Sequence, residues 1–82
     1  MQVTIKYFAS VREAIGQASE QRETAATTLA GLRDELLAIS PAYACLGHNK
    51  AVRMALGQVM SDEAASLSPG CEVAFFPPVT GG

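Results

Sequence analysis

One stretch of this chain carries apolar residues at helical spacing for a full helix. Leu29, Leu32, Leu36 and Ile39 recur on one face between Thr27-Thr28 and Ser40-Pro41. A threonine hydroxyl can accept from the first free N–H groups of a helix, and a residue before proline disfavours helical backbone, so both ends are marked. Arg33, Asp34 and the polar side of Glu35 fall away from the leucine stripe, which reads as core. A single amphipathic helix covers one face of a sheet and not two. Strands accompanying it must therefore form one sheet wrapped across that helix, an α+β roll.

The strands are legible by alternation. From Gln2 to Phe8, Val3, Ile5 and Tyr7 share one face, and Gln2, Thr4 and Lys6 share the other. Ser10-Val11-Arg12-Glu13 has the form of a capping box, with Ser10 as N-cap and Glu13 three residues on, and Gly16 marks the stop of a helix of little more than one turn. Residues 18–23 are polar throughout, which permits only an exposed edge strand. Tyr43 to Leu46 is a short apolar patch expected as a further helical turn, after which Gly47-His48-Asn49 turns the chain. Ala51 to Leu56 and Val59-Met60 read as two short strands around a tight turn at Gly57-Gln58. Ser68-Pro69-Gly70 is a second turn. Glu72 to Phe76 is the last strand, with Val73 and Phe75 on one face and Ala74 and Phe76 on the other. The first and last strands are the most apolar and are expected at the centre. That order and arrangement is a β-grasp, with residues 1–76 as its domain and 77–82 as an extended tail.

Composition removes several functions. Net charge is −2, 17% of residues are charged, and no run of lysine or arginine occurs, so a nucleic-acid or anionic-membrane role has no electrostatic footprint. No apolar run approaches the ~20 residues of a membrane span. Met1-Gln2-Val3 enters a strand pattern without a charged and then apolar leader, and a cytoplasmic location is expected. Cys45 and Cys71 are far apart and are read as reduced, Cys45 buried and Cys71 beside a turn. His48 is the single histidine and reads as a surface residue, so no metal site is expected. The carboxylates, Glu20 and Glu35 among them, are read as solvated. Catalysis by this chain's own side chains is not expected.

The end of the chain is the exception. Pro77-Pro78 removes two backbone donors and fixes φ near the polyproline value, so sheet pairing stops and the chain leaves as a stiff rod. Val79 and Thr80 follow as a small apolar and a small polar anchor, and Gly81-Gly82 present backbone alone. No charged side chain follows Glu72. A slim, stiff, neutral tail loses little entropy on insertion into a narrow channel, and glycine accepts whatever φ/ψ an active site imposes. The reactive group is then the carboxylate of Gly82.

A β-grasp order ending in Gly-Gly resembles the ubiquitin-like sulfur carriers. Within them, Glu72-Val73-Ala74-Phe75-Phe76-Pro77-Pro78-Val79-Thr80-Gly81-Gly82 looks very like the small subunits of molybdopterin synthase, as does the opening Tyr7-Phe8-Ala9-Ser10-Val11-Arg12-Glu13 followed by Gly16. Ser68-Pro69-Gly70-Cys71 stands where that group has an acidic turn, and Gly57 where an asparagine is usual. The resemblance implies that an adenylating partner, using ATP and magnesium, converts Gly82 to an acyl-adenylate. A sulfur donor protein then displaces AMP and leaves a thiocarboxylate. The loaded tail, Pro77 to Gly82, would insert into the large subunit of the synthase, in a heterotetramer with two of each subunit. There it would donate sulfur to cyclic pyranopterin monophosphate and build the dithiolene of molybdopterin. This chain itself binds no cofactor in that scheme, and the acid–base groups belong to the large subunit, so it is a sulfur-donating subunit rather than a catalyst. Alternatives are the sulfur carrier of thiamine thiazole synthesis, a protein modifier joined through Gly82 to lysines, or a plain interaction module. Alternation also leaves Phe8 and Phe76 on the open side of the sheet with Met60 beside them, an apolar patch expected to dock the partner.

Overall fold

The computed structural model describes residues 1–47 and 52–78. His48, Asn49 and the first residue of the strand expected from Ala51 lie outside the described residues, as do Val79, Thr80, Gly81 and Gly82. Five strands, β1 (Gln2–Tyr7), β2 (Ser19–Glu23), β3 (Arg53–Leu56), β4 (Val59–Ser61) and β5 (Glu72–Phe76), form one sheet in the order β2-β1-β5-β3-β4. β1 and β5 run parallel at its centre, and the other pairings are antiparallel. The two most apolar strands are thus both inner, as hydrophobic burial requires, with β3 the third inner strand.

The long helix α2 (Leu29–Ile39) crosses one face. Its N-cap is Thr28, whose Oγ1 accepts from the Gly31 N–H at 3.1 Å. Leu29, Leu32 and Leu36 are fully buried against Val3, Ile5, Tyr7, Val73 and Phe75. Ile39 departs from the expected stripe and is exposed. The 3₁₀ helix Pro41–Leu46 folds back against α2 and fills that end of the core with Tyr43 and Leu46 instead. Arg33, expected in solvent, is buried. The segment before β5 returns over the start of α2, with Leu29 and Ala30 N–H donating to Ala65 and Glu63 carbonyls, and Arg33 Nη2 meets Glu63 Oε2 at 2.8 Å. Periodicity within a helix cannot register a loop that covers its flank.

The short helix α1 (Ala9–Ile15) has about two turns and begins two residues earlier than expected, with its N-cap at Phe8 in place of Ser10. Ser10 is inside it and no side chain caps it; Phe8 is the N-cap, its N–H donating to the Phe75 carbonyl at 3.1 Å while its own carbonyl accepts from Val11 and Arg12. Because the sheet holds Phe8 until the helix starts, no residue is left between them for a serine cap. Gly16 ends α1 in left-handed backbone, at φ 92°. Both cysteines are half-buried, so Cys45 is less enclosed than expected.

Candidate functional site: the open face of the sheet

The face of the sheet turned from α2 carries the alternate residues of each strand. Lys6 in β1, Ala74 and Phe76 in β5, Ala55 in β3 and Met60 in β4 lie side by side there, because the register pairs Lys6 with Ala74, Ala74 with Ala55, and Ala55 with Met60. Two facing alanines leave a hollow of about 610 Å³, which Phe8, Met60 and Phe76 wall. Phe8 and Met60 are 47% and 62% exposed, an arrangement hydrophobicity alone disfavours and an interaction site explains. Pro77 and Pro78 border the same hollow, so the chain leaves β5 beside it. The three residues expected as a docking patch are therefore brought together. The hollow itself is not evident from the sequence, where Ala74 shares a face with Phe76 but nothing joins it to Ala55; the signal is two small residues on the same face of adjacent strands.

The hollow is not wholly apolar. Lys6 Nζ and Glu72 Oε1 stand 3.3 Å apart on its floor, and Gln58 lies at its rim. Among the described residues no group of His, Cys, Asp and Glu could hold a metal ion, and no helix is long and apolar enough to cross a membrane.

Behind the sheet, two carboxylates expected in solvent are structural. Glu20 Oε2 accepts from Tyr7 Oη at 2.8 Å, Tyr43 Oη at 2.7 Å and Gln17 Nε2 at 2.8 Å, joining β1, β2 and the 3₁₀ helix. Burial, and then the Glu20 carboxylate, push both phenols above their ordinary range, so they remain donors. Glu35 takes Arg22 Nε at 2.8 Å and Thr24 Oγ1 at 2.9 Å. Burial alone would raise its carboxyl, but the bonds from Thr24 and Arg22 and the Arg22 charge outweigh that and hold it below its usual value. These contacts tie β2 to β1, to α2 and to the 3₁₀ helix.

With this geometry in view, the chain matches the model of the ThiS family over residues 5–82. The chain belongs to the ThiS family. A curated relative, the molybdopterin synthase sulfur carrier subunit of Escherichia coli, is 34% identical over 80 residues, 98% of this chain and 99% of that protein. Among solved structures, SAMP1 from Haloferax volcanii superposes at a TM-score of 0.80 with 22% identity and full coverage of both chains. A chain of the protein-protein complex of subunits 1 and 2 of molybdopterin-converting factor from Helicobacter pylori superposes at 0.71, again with 22% identity and full coverage of both. At those identities the structures show the fold, a ubiquitin-like β-grasp.

Proposed function

We propose that this chain is the sulfur carrier subunit of a molybdopterin synthase, with Gly82 as the group that carries sulfur. The observation that carries this reading is the near full-length match, at 34% identity, to a relative of that name. Support also comes from the open face, where an exposed apolar hollow lies beside the point at which the chain leaves the sheet. In the scheme proposed, a carboxylate oxygen of Gly82 attacks the α-phosphate of ATP on an adenylating partner, with magnesium, and pyrophosphate leaves. The carboxylate is ionised at neutral pH, with a pKa of about 3.5, and resists nucleophiles until it is so activated. Sulfur delivered by a donor protein at the sulfide level then attacks the acyl carbon, the C–O bond to AMP breaks with its electron pair leaving on AMP, and the thiocarboxylate remains. The tail, residues 77–82, enters a large subunit that the open face docks, in a cytoplasmic heterotetramer, and sulfur passes to cyclic pyranopterin monophosphate.

The test is the intact mass of the protein after incubation with ATP, magnesium, an adenylating partner and a sulfur donor. One oxygen exchanged for sulfur on the C-terminal peptide is the expected result. Unchanged mass, or covalent ladders on denaturing gels from joining to lysines, would turn the assignment toward an interaction module or a protein modifier. Transfer of the sulfur to a thiazole precursor rather than a pyranopterin would move it to the thiamine pathway.

A further inference from the structure

Among the described residues, two that are not glycine hold left-handed backbone, Ala9 at φ 51° and Gln58 at φ 70°. Both border the open-face hollow. Ala9 directly follows Phe8, whose three backbone hydrogen bonds, one to the sheet and two to the helix, account for the sharp change of direction. Gln58 has no such account. It is the second of two turn residues between β3 and β4, after Gly57 at φ 54°. Two successive positive φ angles make the hairpin turn whose second position most favours glycine, because every Cβ is strained there. Asparagine and aspartate ease that strain with short side chains that bond the local backbone, and glutamine is too long to do so. The Gln58 side chain is exposed and makes no hydrogen bond to any described residue, so no side-chain bond among the described residues repays the strain. Strained backbone kept without an internal reason concentrates where a side chain meets a ligand.

We propose that Gln58 is a recognition residue for the large subunit, its carboxamide pairing with a main-chain peptide group of the segment that covers the hollow. This rests on the reading of the open face given above. A carboxamide carries a donor and an acceptor together, which matches the C=O and N–H of a passing peptide and adds no charge to a largely apolar hollow. The hollow takes an apolar side chain of that segment between Phe8, Met60 and Phe76, and Gln58 fixes where its backbone runs. Once docking removes water from the rim, an unpaired amide on either side weakens the complex.

The experiment is calorimetric binding of the purified large subunit to the full chain and to Gln58→Ala, Gln58→Gly and Phe76→Asp variants, with the melting temperature of each. Gln58→Ala keeps the strained Cβ and removes the amide, whereas Gln58→Gly removes both. Each should bind about three- to tenfold more weakly, the worth of one net hydrogen bond. Gln58→Gly should also melt higher than the parent, so that stability and affinity move in opposite directions, as a purely structural turn residue would not allow. Parental affinity in Gln58→Ala overturns the proposal, and so does a Gln58→Gly variant whose stability and affinity fall together. In either case, lost binding by Phe76→Asp leaves the reading of the open face standing; parental affinity in Phe76→Asp overturns that reading instead.

Discussion

Tyr7 and Phe75 stack across the parallel pairing of β1 and β5, with ring planes 13° apart and centroids 6.1 Å apart. The residues that follow them, Phe8 and Phe76, point the other way and wall the hollow. Strand alternation thus follows one buried aromatic pair with a pair on the open face a single residue later, Phe8 exposed and Phe76 half-buried. The core that holds the centre of the sheet also sets the spacing of its open face.

That relationship predicts two neighbouring substitutions with different costs. Phe75→Ala empties a fully buried site and should cost about 3 to 5 kcal/mol in urea unfolding. Phe76→Ala removes a half-buried side chain from the other face and should cost roughly 1 kcal/mol, in proportion to the smaller area returned to water. Equal costs would show that the two faces have been assigned wrongly.

The Glu20 carboxylate should behave as the centre of a coupled network. Glu20→Ala leaves two buried phenols without an acceptor and should cost about 2 to 3 kcal/mol, whereas Tyr7→Phe leaves the carboxylate two donors and should cost about 1 kcal/mol. The double variant should be markedly less destabilised than the sum, because its members share one oxygen. Additive costs in thermal or urea unfolding would dissolve the network into independent contacts.

The parts legible in the sequence were those fixed by a local period. Alternation in Gln2–Tyr7 and Glu72–Phe76 and the spacing of Leu29, Leu32 and Leu36 each have one burial solution, and the inner placement of the first and last strands follows from their apolar character. The parts missed depend on partners distant in sequence. Arg33 is buried by Glu63, and Glu20 is recruited by Tyr43, pairs that no local pattern connects. The start of α1 was misplaced because Ser10 and Glu13 satisfy a capping motif while the sheet, through Phe75, decides where the strand ends. At the open face, alternation located Phe8, Met60 and Phe76, but the hollow between them needs the cross-strand register of Ala55 and Ala74.

Ala9 offers a test of stored strain. Left-handed backbone costs an alanine about 1 kcal/mol, and glycine in its place loses about 0.5 kcal/mol through extra freedom in the unfolded chain. Ala9→Gly should therefore stabilise the domain by roughly 0.5 kcal/mol, visible as a rise in melting temperature. A fall of 1 kcal/mol or more would mean that the Ala9 methyl group makes a contact worth more than the strain.

Glu35 sets an expectation for pH. Its carboxyl is held below the ordinary 4.5 in the fold. A group whose folded pKa is depressed contributes stability fully above its unfolded value and loses it as pH falls through the folded one. The advantage of the parent over Glu35→Gln should therefore be constant near neutrality and shrink as pH falls below about 4.5. Melting curves across the acid range should show it, and a gap that widens on acidification would reverse the sign of the Glu35 interaction.

The terminus carries the functional prediction with the largest expected effect. If Gly82 is the acceptor, its carbonyl must reach the chemistry of two different partners at one fixed distance from Phe76. Deleting Gly82 draws the end back by about 3.5 Å, one extended residue, where a ~1 Å displacement can cost ~100-fold in rate. Gly82→Ala should fail for another reason, adding a methyl where a channel admits only backbone. A peptide tag appended after Gly82 removes the free carboxylate altogether. All three variants should form no thiocarboxylate, or far less of it, by intact mass, and should support correspondingly little molybdopterin. None should melt lower than the parent, because the buried core ends within β5. Affinity for the large subunit should retain the part supplied by Phe8, Met60 and Phe76. A tagged or shortened chain that still supported molybdopterin formation at the parental rate would move the sulfur-carrying group away from Gly82.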